Sequence, residues 1–278
     1  RSSLAYTYAY DHAGRLLTVE HGVNGGQARV LADNQYDELG RLKANKANGS
    51  EALSTSYDYN LRSWLTKVTN PAFEEELLYN ESDGTTKSLY GGNISAMKCR
   101  SRQYGLTYDG LGRLTAATYG ENDASGKKQG KGGGNYDTRY AYDKMGNLLS
   151  LRRQGLHDDG ACDVIDDLKY TYDGNKVIRV EDSAIDPVYK DCFTFVDGAD
   201  DDTEYEYDEN GNQTKDLNRG ICGIEYNCLN LPSGVDFTDG SRITYTYDGG
   251  GRKLRTDHYI NPLTVSVPQL AGGVGTAG

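Results

Sequence analysis

At many points along the chain, large side chains alternate with small or polar ones at a period of two, and the recurring large residue is tyrosine. Tyr6/Tyr8/Tyr10, Tyr140/Tyr142, Tyr170/Tyr172, Tyr205/Tyr207 and Tyr245/Tyr247 are spaced i, i+2, which puts their rings on one face of a β-strand. A second apolar run follows each, carrying Leu16, Leu42, Leu114, Leu148, Ile178 and Leu254. The pattern predicts strand, tight turn, strand, over and over.

The residues between the two runs explain the turn. Tyr-Asp occurs nine times, at 10/11, 36/37, 57/58, 108/109, 136/137, 142/143, 172/173, 207/208 and 247/248, where composition alone would give about two, so it marks an internal repeat. Four copies read Tyr-Asp-x-x-Gly-Arg: Tyr10-Asp11-His12-Ala13-Gly14-Arg15, Tyr36-Asp37-Glu38-Leu39-Gly40-Arg41, Tyr108-Asp109-Gly110-Leu111-Gly112-Arg113 and Tyr247-Asp248-Gly249-Gly250-Gly251-Arg252. Two place Asn after the glycine, Tyr142-Asp143-Lys144-Met145-Gly146-Asn147 and Tyr207-Asp208-Glu209-Asn210-Gly211-Asn212, and decayed copies start at Tyr57, Tyr79, Tyr172 and Tyr226. The Asp side chain accepts a hydrogen bond from backbone two residues on, and Gly supplies the positive φ that closes a type I turn with a G1 bulge. The closest copies are about 20 residues apart, one hairpin each. Hairpins side by side predict an all-β chain, one long, curled antiparallel sheet occupying residues 1–260, with residues 261–278 as a Gly/Ala-rich tail or linker.

Composition modifies this picture in one respect. Leu, Ile, Val and Phe make up about 18% of the 278 residues and the net charge is −11, values that by themselves border on a disordered chain. The 23 tyrosines, against 4 Phe and 1 Trp, restore enough buriable surface, and a tyrosine can bury its ring while its hydroxyl stays on water or a partner. A thin wall with water on both sides is the expected result. The acidity, 41 Asp+Glu against 30 Lys+Arg, argues against a nucleic-acid partner, whose binding rests on neutralising phosphates. No apolar run reaches the ~20 residues of a membrane helix, and no signal-peptide order opens the sequence. The first residue is Arg1 rather than Met, so it need not be the start of the polypeptide.

The recurrent Tyr-Asp-x-x-Gly-Arg/Asn, with a leucine after it in most copies, resembles the Rhs/YD-repeat family of bacterial rearrangement-hotspot proteins, related to insecticidal toxin-complex shells and to teneurins. The resemblance covers about residues 4–260. It implies a spiral of hairpins enclosing a hollow shell, with a toxic effector domain from the end of the same polypeptide inside, and a secreted or cell-surface location. The implied partners are the remaining repeats and that C-terminal effector domain. A length estimate adds that this segment is only part of such a wall: eighteen strands at ~4.8 Å span roughly 85 Å and roll into a ring ~27 Å across, narrower than a 100-residue cargo about 34 Å wide.

Several stretches have the look of chemical motifs. The Gly273–Gly278 run matches G-x-G-x-x-G literally but opens no helix onto a pyrophosphate, and the Gly/Lys-rich 126–134 run lacks phosphate-loop spacing; they read as linker and inserted loop. The acidic run Asp197, Asp200, Asp201, Asp202, Glu204, Glu206 and Asp208 reads as a solvated loop leading into a turn, with a weak calcium site as the alternative. His157, Asp158, Asp159 and Cys162 lack the further ligands that zinc requires. The five cysteines are odd in number and without C-x-x-C spacing, so free thiols are expected, with a Cys222–Cys228 bridge as the alternative. No nucleophile elbow, H-E-x-x-H or cysteine–histidine constellation is present. Asp186-Pro187 is followed by Val188-Tyr189, so it does not match the D-P-x-G element that, in the resembled family, belongs to self-cleavage. The reading is therefore a structural protein with no catalytic residue, cofactor or metal. The alternative is an adhesive module whose tyrosine faces hold glycans, set against cross-strand packing of those same rings.

Overall fold

The structure is a computed structural model and describes residues 2–81, 86–122, 128–129, 134–156, 161–184 and 194–261. The Gly/Lys-rich run up to residue 133, apart from residues 128–129, His157 to Asp159, Asp186-Pro187, Cys192 and the tail from residue 262 lie outside the described residues. Among the described residues, no helix is long and apolar enough to cross a membrane.

The architecture is all-β, hairpin after hairpin. The strands are β1 (Leu4–Tyr10), β2 (Leu16–Val23), β3 (Arg29–Tyr36), β4 (Leu42–Ala47), β5 (Ser54–Tyr59), β6 (Leu65–Thr69), β7 (Glu74–Leu78), β8 (Ala96–Cys99), β9 (Arg102–Tyr108), β10 (Leu114–Asn122) and β11 (Lys128–Gln129). They continue as β12 (Thr138–Tyr142), β13 (Leu148–Leu156), β14 (Cys162–Asp173), β15 (Lys176–Asp182), β16 (Tyr205–Tyr207), β17 (Gln213–Asp216), β18 (Ile221–Tyr226), β19 (Pro232–Phe237), β20 (Arg242–Tyr247) and β21 (Lys253–Tyr259). Hydrogen-bonded neighbours follow sequence order from β1 to β10 and on through β12 to β15, with β11 beside β10, and again from β16 to β21. All the pairings recorded are antiparallel, which short turns between consecutive strands require.

The chain divides into two compact units, residues 1–140 with 153–163 and residues 141–152 with 164–278. Each has a thin interior. In the first, Leu78, Tyr79, Ala96 and Tyr119 are buried, and in the second Leu168, Val180 and Val235. Buried polar side chains accompany them, Ser95 and Gln103 in the first unit and Asp166, Glu204 and Asp216 in the second. With so few apolar side chains buried, tyrosine rings and hydrogen-bonded polar groups supply much of what is covered.

Two features of the repeat differ from the sequence reading. The decayed copy assigned to Tyr57 turns two residues later: Asn60 Oδ1 accepts the N–H of Arg62 and Trp64, and Ser63 takes the positive φ of +60°. Asn, like Asp, offers the side-chain oxygen that closes such a turn, so Tyr59-Asn60 is the working pair. Tyr136-Asp137 makes no hairpin tip. Asp137 instead accepts the Tyr119 backbone N–H at 2.8 Å and passes its own carbonyl to Gln154. The tip after Tyr226 likewise opens on Asn, with Asn227 Oδ1 accepting the N–H of Leu229 and Leu231.

Candidate functional site

The repeat tip is built from one carboxylate. Asp11 Oδ1 accepts the N–H of Ala13 and of Arg15, each at 2.9 Å, while Oδ2 receives Arg15 Nε at 2.6 Å. The backbone closes the same loop, Gly14 N–H to the Asp11 carbonyl and Asp11 N–H to the Arg15 carbonyl, both 3.0 Å. Asp37 with Arg41 and Asp109 with Arg113 repeat this arrangement, again with 2.6 Å ion pairs, and Asp248 with Arg252 does so at 3.2 Å. Asp143 and Asp208 take the Asn147 and Asn212 amides at 2.8 Å instead. The glycines Gly14, Gly40, Gly112, Gly146, Gly211 and Gly251 have φ between +77° and +100°, and Tyr10, Tyr36, Tyr108, Tyr207 and Tyr247 each stand at a register shift in their ladders.

Those hydrogen bonds hold several tip carboxyls below the usual range. Backbone N–H donation from Arg15 and Arg113 leads for Asp11 and Asp109, and the Asn212 amide leads for Asp208. At Asp37 and Asp143 lost hydration pulls upward, and the donors from Arg41 and Asn147 outweigh it. A carboxyl whose folded pKa is depressed stabilises the fold above its unfolded value, near 4, and loses that contribution as pH falls through the folded value. Stability in urea is therefore expected to be level from neutral pH to about 5 and to decline below about 4. Replacing Asp11, Asp37 and Asp109 together by Asn should flatten the decline; an unchanged acid limb would show that other groups set it.

What joins one hairpin to the next is a second set of contacts. Tyr36 donates its hydroxyl to the Leu16 carbonyl at 2.9 Å, Tyr59 to Leu42 at 2.9 Å, Tyr79 to Leu65 at 2.8 Å and Tyr108 to Ile94 at 2.8 Å. In the second unit Tyr172 donates to Leu148, Tyr226 to Gln213 and Tyr247 to Pro232, at 2.7 to 2.8 Å. In most of these the acceptor is the first residue of the strand that leaves the preceding turn, so the tyrosine acts as a lateral latch. Burial raises the phenol pKa of Tyr79, Tyr108, Tyr172 and Tyr226, which keeps them donors at any physiological pH. Each latch is worth about 1 kcal/mol net.

The residue after the turn glycine completes the joint. The Arg15 guanidinium lies 4.8 Å from the Tyr36 ring and Arg41 lies 4.7 Å from Tyr59, contacts worth about 0.5–1 kcal/mol at exposed sites. Arg41 also donates to the Asn60 carbonyl and the Ser63 hydroxyl in the following tip. Where Asn replaces Arg, amides pair from tip to tip: Asn147 donates to Asn175, and Asn212 and Asn230 exchange two bonds of 2.7 and 2.9 Å. Tyr207 is held differently, beneath the Lys176 ammonium at 5.6 Å. These tyrosine hydroxyls and rings are engaged in holding hairpins together.

Close approach at one tip yields a further expected result. A Cβ on Gly40 would stand 2.9 Å from Arg15 Nη1, whereas one on Gly14 meets nothing within 4 Å, and both glycines have positive φ. Gly14→Val should therefore cost only the backbone strain, about 1–3 kcal/mol. Gly40→Val should cost about 1 kcal/mol more, because it also displaces a cation–π contact. Chemical denaturation of the two variants side by side checks this; equal losses would mean that Arg15 moves aside freely.

The second unit carries a polar strap that sequence reasoning missed. Glu204 belongs to the run read above as a solvated acidic loop, yet it is fully buried. Its Oε2 accepts the Val180 N–H at 3.0 Å and the Asn218 amide at 2.7 Å, while its backbone N–H reaches the Ile178 carbonyl at 2.8 Å. Arg179 stands beside it, 3.8 Å from Glu204 Oε1 and 2.7 Å from Asp200. Upstream, Asp166 accepts the Phe195 N–H, Asp197 accepts the Asp182 N–H, and Asn218 Oδ1 accepts the Gly198 and Ala199 N–H groups. An irregular segment laid along a sheet must satisfy its backbone with side chains, and these acids supply the acceptors. The only available signal was their density, which solvated loops share.

Among the described residues no group of three or more His, Cys, Asp or Glu is placed to hold a metal. Asp200 and Asp202 lie beside Arg179. Cys99, Cys162, Cys222 and Cys228 are free thiols.

A ladder of hairpins with self-closing tips and lateral tyrosine latches defines a hairpin-repeat fold. No protein-family model matches the chain, and no curated protein sequence does. Among solved structures it is similar to TcdB2-TccC3-Cdc42, at 17% identity and TM-score 0.60 over 92% of the chain, and to the Tc holotoxin pore of Photorhabdus luminescens, at 17% identity and TM-score 0.61 over 91%. TcdB2-TccC3 without its hypervariable C-terminal region matches at 18% identity and TM-score 0.59 over 92%. The chain has the fold of these toxin-complex chains, in keeping with its Rhs/YD-repeat resemblance, and spans about 12% of their length.

Proposed function

We propose that the chain is a structural segment in the wall of an Rhs-type shell, whose work is to enclose and deliver an effector or toxin domain of a larger bacterial secreted or cell-surface protein. It is a scaffold and not an enzyme. The observation that carries the reading is the likeness, over more than nine-tenths of the chain, to a stretch of the TcdB2-TccC3 chains. One of those structures is described as lacking a hypervariable C-terminal region, and by analogy the cargo here is a domain at the C-terminal end of the same polypeptide. The latches support the same role: with the backbone ladders between neighbouring hairpins, repeated contacts build a continuous barrier, a latch and its cation–π contact adding about 1–2 kcal/mol at each joint that has both.

Electron cryomicroscopy of the complete polypeptide tests the proposal. The expected result is a hollow particle with residues 4–260 in its wall and a cargo domain that resists protease until the shell is opened. A solid particle, or these hairpins projecting outside a separate body, would refute it.

A further inference from the structure

A cavity of about 590 Å³ opens in the first unit where β7, β8, β9 and β10 lie side by side, with Phe73, Met97, Tyr104, Tyr119 and Tyr136 around it. We propose that it is a binding site for a small molecule with a planar aromatic body and a single carboxylate, the ring lying among these side chains and the carboxylate on Arg102. The inference goes beyond the wall reading, because it rests on this cavity alone and requires no enclosed cargo. The volume falls inside the range of roughly 300–1,000 Å³ in which proteins hold small organic ligands.

Strand register sorts the face into two rows. Leu77 is opposite Met97, Met97 opposite Tyr104 and Tyr104 opposite Tyr119, so an apolar row crosses four strands. Two positions along, on the same face, Cys99 is opposite Arg102 and Arg102 opposite Glu121. Apolar and charged groups therefore stand one step apart, which suits an amphipathic ligand. Two of the walls are open aromatic rings: Phe73 is 40% exposed and Tyr136 39%. One exposed ring is ordinary, but apolar surface gathered around a hollow marks a place for a ligand. Tyr136 and Tyr104 already meet Tyr119 edge to face, the geometry in which a further ring is accommodated. Burial raises the phenol pKa of Tyr104 and of Tyr119, so the floor carries no charge near neutral pH.

The charges select an anion. Arg102 borders the cavity, is exposed, and has no hydrogen-bond or ion-pair partner among the described residues. Its cross-strand neighbour Glu121 accepts the Tyr119 hydroxyl at 3.2 Å, and Lys98 at the rim lies 3.8 Å from Glu76. Arg102 is thus the cation left for a ligand, and its planar fork matches a carboxylate with two parallel bonds. Its charge is felt at the floor, where it partly offsets the effect of burial on the Tyr104 and Tyr119 phenols. Glu75 borders the cavity from β7, two strands away from Arg102, so a second carboxylate at that end would be repelled.

Methyl NMR of the 278-residue chain labelled at methionine tests this, because the chain has two methionines: Met97 in the cavity and Met145 at a hairpin tip, 77% exposed. Added 2-naphthoate should shift the Met97 signal saturably and leave Met145 in place. Arg102→Gln should weaken that binding about tenfold. The uncharged naphthylmethanol should bind the variant and the unmodified chain equally, and more weakly than naphthoate binds the unmodified chain. A naphthalene dicarboxylate should bind less tightly than naphthoate. An unchanged Met145 signal and circular dichroism spectrum confirm that the variant is folded. A Met97 signal that stays still at millimolar naphthoate, equal movement of both methionines, an Arg102→Gln variant that binds naphthoate as the unmodified chain does, or a dicarboxylate that binds more tightly would each overturn the proposal.

Discussion

Tyr119→Ala is expected to lower the unfolding free energy by about 3–5 kcal/mol, the range for truncating a large buried aromatic. Tyr119 is buried on β10, directly opposite Tyr104 of β9. The two rings meet edge to face, 5.4 Å apart at 61°, and Tyr136 closes from the other side at 5.0 Å and 85°. Three rings in this geometry contribute beyond the area they bury. The surrounding sheet is poorly able to refill the space, because the neighbouring strand is pinned by its own ladder and the rings border a cavity that Phe73 and Met97 also line. Tyr119→Phe keeps the rings and loses only a 3.2 Å bond to Glu121, so it should cost less than about 1 kcal/mol. Urea denaturation of both variants decides the matter. A loss below 1 kcal/mol for the alanine would mean that the cluster is solvated and that this part of the wall is held by backbone bonds alone.

Glu204→Ala should cost about 2–4 kcal/mol, slightly less than a fully buried pair loses because Arg179 keeps some contact with water. The change removes the acceptor for the Val180 N–H and the Asn218 amide, and leaves Arg179 with the exposed acids Asp200 and Asp202. Asn218 also holds residues 198 and 199 through its other side-chain atom, so the loss should spread into the strap. The readout is twofold: a lower denaturation midpoint, and faster amide exchange at Val180, Gly198 and Ala199 than in the unmodified chain. Glu204→Gln, which retains an oxygen acceptor, should recover more than half of the stability. If alanine and glutamine were equally damaging, the negative charge beside Arg179 would be what matters, and the hydrogen bonds would be secondary.

The parts of this fold that could be read from residue order are those made within a few positions. Tyrosines two apart, an Asp or Asn whose side-chain oxygen reaches forward two and four residues, and a glycine three beyond it describe a hairpin without reference to anything else. The Asp11–Arg15 and Asp208–Asn212 pairs are of this kind. The reading faltered where a residue type substituted for another with the same local chemistry. Asn60 for Asp and Ser63 for Gly moved a tip by two residues, and Tyr136-Asp137 carried the dipeptide without the following Gly and formed no tip. Glu204 was missed for a different reason. Its partners are a backbone N–H 24 residues upstream, an amide 14 residues downstream and an arginine on another strand, none of which distinguishes it in sequence from the solvated acids around it.

Hairpin identity, strand count to within a few, and the surplus of tyrosine over phenylalanine all follow from local chemistry and composition. What each tyrosine does with its hydroxyl does not. The latches from Tyr36, Tyr108 and Tyr247 end on the backbone carbonyls of Leu16, Ile94 and Pro232, and a carbonyl is the same acceptor on every residue, so no side chain marks it in advance. The pairing of Arg15 with the following hairpin's ring, the closeness of Gly40 to that arginine, and the burial of Glu204 likewise depend on which strand lies alongside. Turns form because neighbouring residues demand them; the sheet exists because successive hairpins lie side by side, close enough for a tyrosine of one to reach the backbone of the one before.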